Sequence, residues 1–111
     1  GETVGSMTFV AKTLAGTGGD DLRTLAMQVR DAFGTRPGVV ALVGGGAKPV
    51  LIVATSPAAR DLGARAGALV AAGAPALGGR GGGRDDLAQG GGTNMAGAAD
   101  ALVAIRTALG A

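Results

Sequence analysis

The chain has 111 residues, a formal net charge of +2 and no Cys, His, Trp or Tyr. That length suits one domain with a modest core, and the missing residue types exclude disulfides, thiolate chemistry and histidine-based catalysis or metal ligation. With so small a net charge, any anion binding has to come from local placement of side chains.

The elements follow in chain order. Met7-Thr8-Phe9-Val10-Ala11-Lys12 alternates as a half-buried strand does, with Met7, Phe9 and Ala11 on one side. Gly16-Thr17-Gly18-Gly19 is a loop, after which Asp20 or Asp21 caps a helix with Leu22, Leu25, Ala26, Val29 and Phe33 at helical spacing. Gly34 and Pro37 stop it. Arg23 and Arg30 fall on its polar face and read as solvated. Val39–Val43 and Val50–Ala54 are continuous apolar runs joined by Gly44-Gly45-Gly46-Ala47-Lys48-Pro49, the pattern of a hairpin of buried strands. Ser56-Pro57 starts a second helix, with Ala59, Leu62, Ala66, Leu69 and Val70 on one face and an end near Gly73 or Pro75. Thr93-Asn94 opens a closing helix with Ala98, Ala101, Leu102, Ile105 and Leu109 inward. The order β-α-β-β-α-loop-α predicts a small α/β fold, a mixed sheet packed against helices. No run of eighteen apolar residues and no basic leader before an apolar stretch occurs, so neither a membrane span nor a signal peptide is expected.

The loop before the closing helix, GGRGGGRDDLAQGGG from Gly78 to Gly92, is the segment with chemical content. It does not fit the nucleotide-binding fingerprints. No Gly-Lys pair exists for a Walker A loop, and a G-x-G-x-x-G frame begun at Gly79 puts Arg84 at its third glycine. Begun at Gly44, the same frame ends on Pro49. What Gly81, Gly82 and Gly83 offer is close backbone approach, flanked by Arg80 and Arg84, whose guanidinium forks match phosphate oxygens. A mobile linker with solvated arginines is the competing reading, although flexible linkers pair Gly with Ser. Asp85-Asp86 has no His or third acid beside it, so a turn cap suits it better than a metal site. Gln89 serves either as a hydrogen-bonding group for a base edge or ribose or as a brace for the loop. Lys48 at the hairpin tip is within the repertoire of phosphate contacts, with a solvated turn lysine as the default. Ser6 and Ser56 lack a histidine for a triad, and the two Phe sit in core patterns, so no catalytic residues and no aromatic stacking platform are expected. The chain reads as a binder.

Gly79-Arg80-Gly81-Gly82-Gly83-Arg84, then Leu87-Ala88-Gln89 and Gly91-Gly92, with a closing helix behind them, resembles the C-terminal (C-Ala) domain of the alanyl-tRNA synthetases, of the DHHA1 family. The family segment runs approximately G-G-[KR]-G-G-G-R-P-D-M-A-Q-A-G-G. This chain departs from it at Asp85, where proline is usual, at Leu87, conservatively, and at Gly90. The resemblance covers residues 1–111 as one domain of a larger synthetase and implies a cytoplasmic, non-catalytic module of protein biosynthesis. By that resemblance the module binds the outer corner of tRNA(Ala) and ties aminoacylation to editing. Its contacts would fall on Arg80, Gly81, Gly82, Gly83, Arg84, Gln89 and Lys48. The resemblance further implies partners in the rest of the synthetase chain and, in some members, DNA or a second copy as a homodimer. No cofactor or metal belongs to this domain; the parent enzyme is expected to use ATP, Mg and Zn. The alternatives are the DHHA1 substrate-binding domain of a RecJ- or nanoRNase-like DHH phosphoesterase and a pure interaction module. The former usually carries His where Arg84 stands.

Overall fold

The structure, a computed structural model, describes residues 2–110. Its centre is a six-stranded mixed sheet in the order β1-β2-β3-β4-β6-β5. The strands are β1 (Glu2–Val4), β2 (Met7–Ala15), β3 (Gly38–Gly45), β4 (Pro49–Thr55), β5 (Arg80–Gly83) and β6 (Leu87–Gly91). The helices are α1 (Gly19–Ala32), α2 (Pro57–Asp61), α3 (Ala66–Gly73) and α4 (Ala98–Ala108). Only β2 and β3 run parallel, and α1 is the crossover between them, as a parallel pair requires. The α/β class, mixed sheet and covering helices match the fold expected from the pattern.

The continuous apolar runs are explained by burial on both faces. Along β3 and β4, Val39, Ala41, Val43, Leu51 and Val53 pack with Phe9, Leu69, Val70 and Ile105 on the α3/α4 side. Their alternates Val40, Leu42, Ile52 and Ala54 pack with Leu22 and Ala26 of α1 on the other. The two strands pair from Val39↔Thr55 to Gly45↔Pro49, the hairpin read from the sequence. A strand covered on one side only would have alternated with polar residues.

Three segments depart from the sequence expectation. The Gly-rich loop is a hairpin, β5 against β6, added to the far edge of the sheet. The single second helix is two, because Gly63 takes a φ of +96°, a left-handed conformation that ends α2 and turns the chain into α3. Leu62 consequently lies 55% exposed instead of facing inward. The first strand extends to Ala15 and pairs with the short β1, and Ala11 is exposed. Nor does Asp20 or Asp21 cap the first helix: α1 begins at Gly19 with Gly18 at its N-cap and no side-chain cap, so both acids lie in its first turn. Two other local readings match: the Ser56 hydroxyl caps α2, accepting from the Ala59 N–H at 3.3 Å, and Ala98, Ala101 and Ile105 are buried. Ser56 Oγ also accepts from the Gly38 N–H at 2.8 Å and donates to the Arg36 carbonyl at 2.9 Å, joining three segments in the interior. No described helix is long and apolar enough to cross a membrane.

Candidate nucleic-acid interface

A four-residue strand containing three glycines has almost no intrinsic tendency to form, so β5 needs its surroundings to define it. β6 supplies one side, pairing Arg80↔Gly91, Gly81↔Gly90, Gly82↔Gln89 and Gly83↔Ala88. α3 supplies a floor. A Cβ built on Gly81 would lie 2.3 Å from the Gly90 Cα and 2.9 Å from Val70, and one on Gly67 of α3 would lie 2.7 Å from the Gly83 carbonyl oxygen. The backbones are therefore closer than any side chain allows. Gly82 differs from its neighbours, since a Cβ there would meet nothing within 4 Å. Gly81 is glycine because the fold fills its space. Gly82 stands open.

The hairpin tip is fixed by backbone bonds rather than by turn-forming residues. Ala66 N–H donates to the Asp85 carbonyl at 2.9 Å, Gly67 N–H to the Arg84 carbonyl at 3.0 Å, and Thr55 N–H to the Asp86 carbonyl at 3.0 Å. Thr55 Oγ1 adds a bond to the Asp85 carbonyl at 2.5 Å. Asp85 and Asp86 thus act through their main chain at the tip, and the turn keeps its shape without proline.

Alternation along β5 sorts the side chains. Gly81 faces α3, so Arg80 and Gly82 share the opposite, exposed face, and Arg84, one residue past the end of β5, lines the same side with Gly82 and Gln89. Arg80 opens β5 and Arg84 follows its last residue, at the start of the turn. Among the described residues neither forms an ion pair with a carboxylate. Gln89 lies directly across from Gly82 and shares that face. Lys48, exposed on the β3–β4 turn, sits at the Arg80 end, since Val50 and Arg80 both pair with Gly91. Two strand spacings, roughly 10 Å, separate Val50 from Arg80, and Lys48 lies two residues beyond Val50 on the turn. The structure therefore brings Arg80, Gly82, Arg84 and Gln89 onto one surface, leaves Lys48 at its margin, and turns Gly81 toward α3.

The sequence reading missed one residue of this surface. Arg23, assigned to a solvated helix face, reaches across from α1 and donates through Nη2 to the Gln89 Oε1. Its Nη1 also lies 3.7 Å from the exposed Asp20 carboxylate. Arg23, Gly82, Arg84, Asp86, Leu87 and Gln89 line a shallow depression of about 290 Å³ on the α1 side of the hairpin. No local sequence signal links two residues 66 positions apart.

An edge strand of this kind presents cationic forks and open backbone over a bare concavity, an arrangement suited to phosphate oxygens. Known proteins share this sequence and fold. The family model described as the DHHA1 domain matches residues 6–110. The chain is 50% identical over 106 residues to an alanine–tRNA ligase of Cutibacterium acnes, covering 95% of this chain and 12% of that protein. It is 56% identical over 92 residues to the alanine–tRNA ligase of Leifsonia xyli subsp. xyli, covering 82% of this chain and 10% of that one. The chain thus spans about a tenth of the length of the curated relatives it matches. Among solved structures, the C-Ala domain from Aquifex aeolicus alanyl-tRNA synthetase superposes with a TM-score of 0.89 at 28% identity, over 99% of this chain and 97% of that one. The DHH domain of a member of the s1p family of ribosomal proteins shares the fold at 15% identity and a TM-score of 0.61, over 89% of this chain and 25% of that one.

Proposed function

This chain belongs to the DHHA1 domain family, and from that premise we propose that it is the tRNA-binding C-terminal module of an alanine–tRNA ligase. In this reading it contacts the corner of tRNA(Ala), holds that tRNA for the rest of a cytoplasmic synthetase, and so couples aminoacylation to editing. The observation that carries it is the pair of exposed arginines that bracket the edge strand, Arg80 at its start and Arg84 just past its end, with open Gly82 between them. Guanidinium groups at a fixed spacing suit a sugar–phosphate backbone, and the lack of exposed aromatics suits recognition by shape more than by base stacking. Without His or Cys the domain contributes position and no chemistry. The phosphoesterase alternative loses support at Arg84, which stands where that group carries His.

The test is a titration of the chain with tRNA at several salt concentrations, beside Arg80→Ala plus Arg84→Ala. Both side chains are exposed, so the double variant should fold. Its affinity should drop and its salt slope should fall by about two, one for each phosphate contact removed. Unchanged affinity and slope in the folded variant would rule the strand out as the RNA contact.

A further inference from the structure

The edge of the sheet opposite β5 is only partly covered. β1 pairs with β2 as far as Glu2↔Phe9, and β2 runs on from Val10 to Ala15 with no strand beside it among the described residues. The ladder to β3 identifies the backbone groups left over. Thr8 N–H donates to the Pro37 carbonyl and Gly16 N–H to the Gly45 carbonyl, so the even-numbered residues of β2 bond β3. Ala11, Thr13 and Ala15 therefore turn both N–H and C=O outward. Neither proline nor bulge blunts the stretch, and Lys12, exposed and without an ion pair among the described residues, is its one charge. Glu2, Phe9, Val10, Ala11 and Lys12 line a depression of about 350 Å³ that begins where β1 stops. Above it on α4, Arg106 Nε lies 3.0 Å from the Glu2 Oε2, and Val103, one turn earlier on the same helix face, is 60% exposed.

We propose that this edge seats the synthetase polypeptide that leads into β1, which continues as an extended strand antiparallel to β2 along Val10–Ala15. The proposal rests on the reading above, in which the chain is the C-terminal module of a synthetase of whose length it spans about a tenth. The pairing Glu2↔Phe9 sets the register, since each step up β2 is matched by one step back along the lead-in. The second, fourth and sixth residues before Glu2 then exchange backbone bonds with Ala11, Thr13 and Ala15. Their side chains fall on the face of the sheet that carries Phe9 and α4, where exposed Val103 calls for apolar partners. The third residue falls opposite Lys12 and suits an acid. Covering the edge turns a tethered domain into an oriented one. β2 lies four strand spacings from β5, so the arginines are held about 19 Å from the lead-in, at the other side of a rigid sheet.

Amide hydrogen exchange tests this in the present chain and in the synthetase that carries it. In the chain, Ala11, Thr13 and Ala15 should exchange roughly a hundredfold faster than Val10, Lys12 and Leu14, whose N–H groups bond β3. In the synthetase the same three amides should become slow. Thr13→Pro removes one outward donor and leaves the β3 ladder whole, so the variant chain should fold and keep the tRNA affinity of the parent. In the synthetase that substitution should return Ala11 and Ala15 to fast exchange. Amides that stay fast in the unsubstituted synthetase would overturn the covered edge and leave the RNA-binding reading standing. Protection that grows with the concentration of the chain by itself would give the edge to a second copy and overturn the proposal as well. A chain that fails to bind tRNA, beside slow amides in the synthetase, would strike the functional reading and uphold the covered edge.

Discussion

Two hairpins of the sheet are rich in glycine, β3–β4 in its turn and β5–β6 in its strands, and they are built on opposite principles. β3–β4 is made of Val, Leu, Ile and Ala and is covered on both faces. β5–β6 is made largely of glycine, and β5 is exposed along its whole length. The first hairpin holds its place by displacing water from apolar side chains. The second holds its place by backbone proximity, through glycines that let α3 and β6 approach and through carbonyls engaged by Thr55, Ala66 and Gly67. Burial is concentrated in one, and the proposed RNA contact lies on the other. They meet where β6 pairs with β4.

The contrast makes ranked predictions. The largest effect belongs to the first hairpin: Ile52→Ala, at a fully buried position against α1, should destabilise the domain by about 2–5 kcal/mol in urea unfolding. A smaller loss there would mean that the two-sided core relaxes around the cavity. Next comes Gly81→Ala, an added methyl at a solvent-exposed strand, expected to cost about 1–3 kcal/mol because the new atom has only backbone and Val70 to push against. Gly82→Ala, one residue along, should stay within about 0.5 kcal/mol. Equal costs at the two positions would erase the distinction between glycine kept for the fold and glycine left open.

The same contrast explains what could be read from the sequence. Val39–Val43 and Val50–Ala54 announce themselves because burial on two faces demands unbroken apolar residues. α1 and α4 are legible from their spacing, and Ser56-Pro57 from its capping chemistry. β5 and β6 are not, because glycine carries neither β propensity nor a polar–apolar period, and their pairing depends on segments distant in sequence. The break at Gly63 was hidden for a related reason: alanine-rich sequence on both sides supports helix equally well, so only the φ of one residue decides it. At the candidate site, Arg80, Arg84 and Gln89 stood out by their neighbours, whereas Arg23 became visible only once the sheet had brought α1 beside β6. Lys48 shares that end of the sheet without adjoining the depression.

The clamp at the tip has a further consequence for how the domain opens. The N–H groups of Ala66 and Gly67 belong to the first turn of α3, a turn that no side chain caps, and the carbonyls of Asp85 and Arg84 satisfy them. Fraying the helix start would strand two strand carbonyls, and lifting the hairpin would strand two helix donors, so neither can let go alone. The strand bearing the arginines, thin and peripheral as it is, therefore opens as one cooperative unit with a helix anchored in the core.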